Sequence, residues 1–133
     1  MQLTKKASYG VIAALELARS GDAEPISAAA IAEQYSLSPS FVEKILHELR
    51  RSGLVDSKQG RAGGYFLSRP ATTISVREVL EALNESIDLV GCLGSPAACQ
   101  LTGICPTKNA WGRINDRIRE LLDSMHLQDL LDR

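Results

Sequence analysis

The chain lacks several features that would place it in other classes of protein. Its 133 residues contain no apolar run of about 18 residues, the length that a membrane-spanning helix requires. Its first residues, MQLTKKASYG, lack the apolar core of a secretory signal peptide. We therefore expect a cytoplasmic protein. The composition, 44% hydrophobic and 23% charged, is that of an ordinary folded domain with a buried core.

Catalytic and disulfide signatures are missing as well. The sequence shows no carboxylate pair and no Ser/His/Asp constellation around a pocket, so an enzyme is disfavoured. Cysteine is scarce, and its count of three is odd, which argues against a disulfide framework in a reducing compartment. The two histidines, His47 and His126, lie in other parts of the chain than the cysteines. The cysteines therefore indicate a ligand or redox role.

All three cysteines, Cys92, Cys99 and Cys105, lie in one segment, 91–106, that shows neither helical nor strand periodicity. Glycine, proline and small residues fill the C-x6-C-x5-C spacing, so the loop can fold back and bring three sulfurs together. Structural zinc normally takes four Cys or His ligands and ranks second, because three thiolates with a replaceable fourth position suit an iron-sulfur cluster. A cofactor-free thiol switch is the alternative. A small electron carrier would leave most of the chain without a role.

The net charge of -1 conceals a basic segment. Residues 44–69 contain six basic and two acidic side chains. A local basic patch on a nearly neutral protein is typical of specific nucleic-acid contact. The alternative is a solvated charged face with no partner.

Helical periodicity and capping residues predict three helices near the start of the chain. The first covers 4–19 and ends at Gly21, the second follows Ser27, and the third opens at Ser38-Pro39 and stops at Gly53. Two helices joined by a tight turn predict a helix-turn-helix, with a plain helical hairpin as the alternative. Within it, Glu43 is predicted to accept a hydrogen bond from a cytosine amino group. The predicted DNA-facing residues of the third helix are Ser38, Ser40, Glu43, Lys44, His47, Arg50 and Arg51.

Two short apolar runs follow, Leu54-Val55 and Tyr65-Phe66-Leu67, separated by a glycine-rich basic segment. They predict a two-stranded hairpin, which beside a helix-turn-helix forms a wing. A nucleotide-binding loop is disfavoured because the G-x-x-x-x-G-K-[ST] spacing is absent. The wing residues predicted to contact phosphates or the minor groove are Lys58, Arg61, Gly63, Gly64 and Tyr65.

The second half of the chain predicts two further helices. Ser75 and Glu78 form a capping box that opens a helix within a predicted linker, residues 71–90. Thr107 then starts a long helix, and residues 107–133 are predicted to be a dimerisation helix with a C-terminal tail. The apolar residues of that helix recur in steps of 3 and 4, which suits packing against a second copy or, alternatively, against its own domain. The predicted dimer residues are Trp111, Ile114, Ile118, Leu121 and Met125.

In their order and spacing, these segments resemble the IscR-type iron-sulfur cluster regulators, bacterial winged-helix transcription factors of the Rrf superfamily. The resemblance covers nearly the whole chain and rests on MQLTKKASYG, SLSPSFVEKILHELRRSGLV, GRAGGYFL, SVREVLEAL, the three-cysteine segment and CPTKNAW. It implies a mainly α fold with a small β-wing: a winged helix-turn-helix DNA-binding domain at 1–70 and crossed dimerisation helices. It also implies a homodimer on double-stranded DNA with two half-sites, and one cluster per subunit on the three cysteines.

The chain departs from the family pattern at three places. The first cysteine gap is six residues rather than five. Lys108 stands where one relative has a histidine ligand, and Ser8 stands where others use an aspartate from the partner. A protonated lysine is no ligand, so the fourth ligand is unidentified, and the missing histidine favours [4Fe-4S] over [2Fe-2S]. In the wing, Gln59 replaces an expected basic residue, a role that Lys58 or Arg61 is expected to fill.

Overall fold

A computed structural model describes residues 3–21, 24–85 and 108–131 of the protein. These residues form a mainly helical fold with a two-stranded antiparallel sheet, which confirms the predicted fold class. No helix within these ranges has both the length and the apolar character needed to cross a bilayer. The elements in chain order are α1 (Lys5–Ser20), α2 (Ala28–Tyr35), α3 (Pro39–Arg51), β1 (Val55–Lys58), β2 (Gly64–Leu67), a 3-10 turn (Ala71–Thr73), α4 (Val76–Ala82), α5 (Lys108–Ser124) and α6 (Leu127–Leu131).

Local capping bonds fix the starts of three helices. Thr4 at the start of α1 and Ser27 at the start of α2 each accept a hydrogen bond from the backbone N–H three residues ahead, at 3.1 Å. The predicted capping box of α4 is confirmed, since Ser75 and Glu78 each accept a bond from the other's N–H. Burial alone would raise the pKa of Glu78, but bonds from the Arg69 guanidinium and the Ser75 N–H outweigh it and lower that pKa.

One apolar core joins the helix-turn-helix, the hairpin and the later helices. Val79 of α4, Leu83 directly after that helix and Leu127 of α6 are buried in it together with residues of the first three helices. The division of the chain at residue 70 did not anticipate this packing, because the helix assigned to a linker fills the same core as the predicted winged domain. The buried members are Ala13, Ala14, Leu17, Ala28, Ile31, Ala32, Val42, Ile45, Leu46, Leu49, Leu54, Val55, Leu67, Ile74, Val79, Leu83 and Leu127.

Helix α1 lies very close to α4. A Cβ atom at Gly10 would be only 2.2 Å from Leu83 Cδ1, so a larger residue at this position would require the Leu83 side chain to move. Beside this contact, Ala7 and Leu80 form a second buried cluster, against which Leu122 of α5 packs. Helix α5 therefore rests on α1 and α4 by one side.

The turn between α5 and α6 is tied to the segment that enters α4. Val76 N–H donates to the Met125 carbonyl at 2.8 Å, and Leu127 N–H donates to the Ile74 carbonyl at 3.0 Å. These two bonds form a short antiparallel bridge. Because the bridge and the burial of Leu127 anchor its end, α5 has a fixed orientation relative to the core.

Candidate nucleic-acid interface

Helix α3 has one buried and one exposed face. Val42, Ile45, Leu46 and Leu49 are buried, whereas Phe41 is half-buried and meets the Tyr9 ring edge-on at a centroid distance of 5.9 Å. Ser38 precedes the helix as predicted but makes no capping bond, and its hydroxyl lies 2.8 Å from that of Ser40. The predicted DNA-facing residues of this segment are all exposed: Ser38, Ser40, Glu43, Lys44, His47, Arg50 and Arg51.

The predicted wing forms from β1 and β2, which pair antiparallel with Lys58 opposite Gly64. The first strand was predicted at Leu54-Val55, but it begins at Val55 and continues to Lys58. The reason is that backbone pairing with β2 continues through the polar residues up to Lys58, whereas Leu54 precedes the paired residues and is buried in the core. The wing tip, residues 58–62, is exposed.

Strand β2 also pairs on its other edge, with a loop that the sequence assigns to no strand. Tyr65 N–H donates to the Ile26 carbonyl at 2.7 Å, and Ile26 N–H donates to the Tyr65 carbonyl at 2.9 Å. Gly64, at φ +153°, permits this approach, since a Cβ there would lie 2.5 Å from the Ile26 carbonyl carbon. The wing is therefore attached to the start of α2 as well as to the end of α3.

Replacing Gly64 by alanine is expected to lower the free energy of unfolding by about 3 kcal/mol, because strain at positive φ and lost bridge hydrogen bonds add together. Urea unfolding followed by circular dichroism measures the change. Gly60→Ala is the matched control: its φ is +111°, but an added Cβ meets nothing within 4 Å. The control should lose only about 1 kcal/mol. Equal losses in the two variants would contradict the steric role assigned to the Ile26 approach.

A hydrogen bond joins the wing to α3. The Tyr65 hydroxyl donates to Glu43 Oε2 at 2.9 Å. Burial, and then this bond to a carboxylate, raise the pKa of Tyr65 above its ordinary value, so the hydroxyl keeps its proton at neutral pH. Two residues that the sequence predicted separately, a base reader and a wing contact, are thus in direct contact.

The predicted cationic contacts fall into two groups. Arg50 faces Asp56 of β1, with 3.7 Å between Nε and Oδ1, and both side chains are largely exposed. Such a surface pair contributes little to stability and can open toward another anion. In the described ranges, no carboxylate forms an ion pair with the other four cations, Lys44, Arg51, Lys58 and Arg61.

Two polar contacts between helices, which position α2 and α3 relative to α1, were not predicted from the sequence. Glu16 of α1 is only 7% exposed, accepts a hydrogen bond from the Tyr35 hydroxyl and lies 2.8 Å from the Arg19 guanidinium. The bond to Glu16, followed by burial, raises the pKa of Tyr35. Lys6 pairs with Glu48 at 3.3 Å and links α1 to α3. A glutamate within the otherwise apolar stretch 11–18 of α1 was the available signal for the first contact.

A second exposed surface, the apolar stripe, runs along α5. Its predicted members are Trp111, Ile114, Ile118, Leu121 and Met125. Four are exposed, with fractions of 41% for Trp111, 45% for Ile114, 58% for Leu121 and 37% for Met125, while Ile118 is half-buried. The adjoining side of α5 is buried at Asn115 and packs on the core through Leu122. The described part of the chain therefore leaves the stripe uncovered, and its role in a dimer stays a prediction.

The predicted ligand segment, 91–106, lies outside the described residues, with Cys92, Cys99 and Cys105 and the predicted cap Thr107. Ser8, the position at which some relatives have an aspartate, is exposed on α1. Over 3–21, 24–85 and 108–131, no three His, Cys, Asp or Glu side chains are grouped so that they could hold a metal ion. The cysteine site therefore stays a prediction.

Comparisons with known proteins agree with the geometry of α3 and the wing. A family model described as Rrf2, iron-dependent transcriptional regulator, matches residues 3–133. The HTH-type transcriptional regulator IscR of Escherichia coli is 37% identical over 132 residues, which cover 99% of this chain and 81% of that protein. The structure resembles CymR, the global cysteine regulator of B. subtilis, with a TM-score of 0.82, 32% identity and coverage of 98% and 95% of the two chains. It also resembles T. potens IscR, with a TM-score of 0.77, 32% identity and coverage of 99% and 87%.

Proposed function

Because the chain belongs to the Rrf2 family of transcriptional regulators, we propose that it acts as a homodimer whose cysteines sense iron, iron-sulfur, redox or nitrosative status and adjust its binding to DNA. Family membership gives the coarser function, a DNA-binding transcriptional regulator and not an enzyme. The proposed partner is double-stranded DNA with two half-sites. The proposed place of action is the bacterial cytoplasm, where that DNA lies.

The observation that carries this proposal is the α3–wing surface, defined as the exposed residues of α3 and the wing tip. Ser40 and Glu43 are exposed on α3, where short polar and carboxylate side chains can reach base edges in the major groove. Around them lie exposed cations that form no ion pair with any described carboxylate, including Lys44 and Arg61. Such cations suit phosphate contacts, which hold a reading helix in register.

Replacing Arg61 by alanine is expected to weaken binding to every duplex and to lower the slope of log affinity against log salt by about 1, because one phosphate contact is lost. Arg61 is exposed at the wing tip and lines a shallow groove with Ser27 and Ala30 at the start of α2. Fluorescence anisotropy with a labelled duplex at several salt concentrations measures the slope.

Arg77→Ala is the matched arginine control for this measurement. Its guanidinium pairs with Glu81 at 2.9 Å within α4, a helix that contributes no residue to the α3–wing surface. The control should keep the wild-type affinity and slope. An Arg61→Ala variant with an unchanged slope would remove Arg61 from the interface, and a wild-type protein without salt-dependent DNA binding would contradict the proposed function itself.

The apolar stripe supports the proposed homodimer. Monomeric proteins rarely expose a row of large apolar side chains, because each leaves apolar surface in water. The stripe borders the face by which α5 rests on Leu80, and its four exposed members lie outside that contact, so they can pack against a second copy without disturbing the core. A two-fold dimer would bring two α3 helices to two half-sites.

For the sensing group, the donor set fits an iron-sulfur cluster. Cys92, Cys99 and Cys105 would supply three thiolates, the ligand type that such clusters take. Among the positions suggested by the family resemblance, Lys108 is no ligand and Ser8 lacks a carboxylate, so the fourth position is open to an exchangeable group. When bound, a cluster would supply a redox-active centre. The cysteines that would hold it directly precede α5 in the sequence, and α5 contains the proposed dimer contact.

A thiol switch without a cofactor is the second candidate. In it, two of the cysteines would be oxidised and reduced, and the change in their segment would alter the proposed dimer. The likeness to a structure of Staphylococcus aureus CymR in an oxidised form, with a TM-score of 0.77 and 29% identity, favours this candidate. Metal and sulfide content separates the two candidates, as described below.

A further inference from the structure

The wing contacts α3 through a side chain on strand β2 rather than at its exposed tip. Tyr65, on β2, reaches across to α3 and donates its hydroxyl hydrogen to Glu43 Oε2 at 2.9 Å. Glu43 is exposed, whereas Tyr65 is half-buried. The bond is therefore at the edge of the α3–wing surface, with the carboxylate on the solvent side and the ring on the protein side.

Tyr65 is held more firmly than other wing residues. Its backbone pairs with Ser57 of β1 on one side and exchanges two hydrogen bonds with Ile26 on the other. The close approach at Gly64 fixes the backbone immediately before it. Because both edges of the strand are paired at this residue, the hydroxyl is presented from a rigid platform.

Glu43 gains an orientation from this bond. A free glutamate on a helix surface samples many rotamers, and fixing one costs conformational entropy at the moment of binding. The Tyr65 hydroxyl engages Oε2, and an ionised carboxylate has about four acceptor sites on its two oxygens, so it can still accept a bond from a base. The raised pKa of Tyr65 keeps the donor proton in place across the neutral range.

We propose that Tyr65 is a positioning residue for base recognition: its hydroxyl holds the Glu43 carboxylate in the orientation that accepts a hydrogen bond from a cytosine amino group in the major groove. This inference rests on the proposed function, in which the α3–wing surface binds DNA. It assigns part of the sequence specificity to a residue of the wing that itself contacts no base.

The test uses the full-length protein and a duplex that the wild-type protein selects from a randomised pool. Affinities are measured for that duplex and for the set of its single base-pair substitutions. Glu43→Ala first identifies the base pair at which the preference for cytosine depends on Glu43. Tyr65→Phe then removes only the hydroxyl, and the double variant tests whether the two residues act together.

At the base pair identified by Glu43→Ala, Tyr65→Phe should reduce the preference for cytosine about 5-fold, the size expected for one hydrogen bond. Preferences at the other positions should stay as in the wild type, and the double variant should match Glu43→Ala alone. Tyr9→Phe is the matched control, because the Tyr9 ring packs on Phe41 of the same helix but makes no bond to Glu43. It should keep every preference.

Three results would overturn the inference while leaving DNA binding intact. Tyr65→Phe could keep the full preference for cytosine, it could weaken binding evenly at all positions, or Glu43→Ala could change no preference at all. The first two would show that the hydroxyl has no positioning role, and the third that Glu43 reads no base. A wild-type protein that selects no duplex from the pool would instead contradict the proposed function, and the inference with it.

Discussion

Replacing Leu121 by glutamate is expected to turn a homodimer into a folded monomer and to raise the dimer dissociation constant on the order of 100-fold. Leu121 is 58% exposed in a single chain, so the charge should barely affect the stability of the monomer. In a dimer that buries the apolar stripe, each copy would place an unpaired carboxylate against apolar side chains, which costs several kcal/mol. Sedimentation velocity at micromolar concentration measures the oligomeric state.

Operator binding should fall with the loss of the dimer. A monomer engages one half-site at a time and loses the effective concentration that links the two binding events, a loss of about 100-fold or more in affinity. Asp123→Lys is the matched control, since it changes a charge at an exposed position of α5 outside the stripe. It should remain a dimer. A dimeric Leu121→Glu protein with wild-type affinity for the operator would contradict the assignment of the stripe.

Replacing any one of Cys92, Cys99 and Cys105 by alanine is expected to abolish stable incorporation of an iron-sulfur cluster. Each variant keeps only two of the three thiolates that are proposed to bind the cluster. The segment 91–106 contains no further cysteine, histidine or carboxylate that could replace the lost ligand. Protein purified without oxygen should lose its visible absorbance and its iron and sulfide. The variants should still form the dimer, because neither the apolar stripe nor the buried core of residues 3–21, 24–85 and 108–131 includes a cysteine.

The same purification separates the alternatives. Gln100→Ala is the control, since it changes a side chain between the cysteines without removing a thiol. It should keep the wild-type iron and sulfide content. A colourless wild-type protein with bound zinc would favour the structural metal site, and a metal-free protein whose DNA binding changes on thiol oxidation would favour the thiol switch. Full absorbance in all three alanine variants would contradict the ligand assignment.

The helices and the wing were predictable because their signals are local. Ser27 and the pair Ser75 and Glu78 lie within one turn of the helices that they start, and their bonds form as the sequence indicates. The exposed face of α3 follows from its 3.6-residue period alone, since Ile45 and Leu49 can be buried only if Glu43 and Lys44 face outward. The apolar stripe of α5 was visible for the same reason.

The contacts that position these elements were not predictable, because each joins residues far apart in the chain. The bridge between Ile26 and Tyr65 crosses from a loop to a strand, and no periodicity marks a loop residue that pairs alone. Glu16 and Tyr35 belong to different helices, and their partnership depends on how those helices pack. A hydrophobic pattern predicts that one face of a helix is buried, but it does not predict which other segment packs against that face.

The sequence by itself determined the number of main helices, the presence of a wing and the exposed chemistry of α3, because caps, periodicity and glycine positions act within a few residues. It also determined the grouping of the three cysteines. Only the tertiary structure decided that α4 and Leu127 complete the core, that residues 3–21, 24–85 and 108–131 leave the apolar stripe uncovered and that Tyr65 holds Glu43. Each of these contacts forms between segments that are far apart in the sequence. The free energy of their packing comes from many side chains together, so no single stretch of the sequence predicts it.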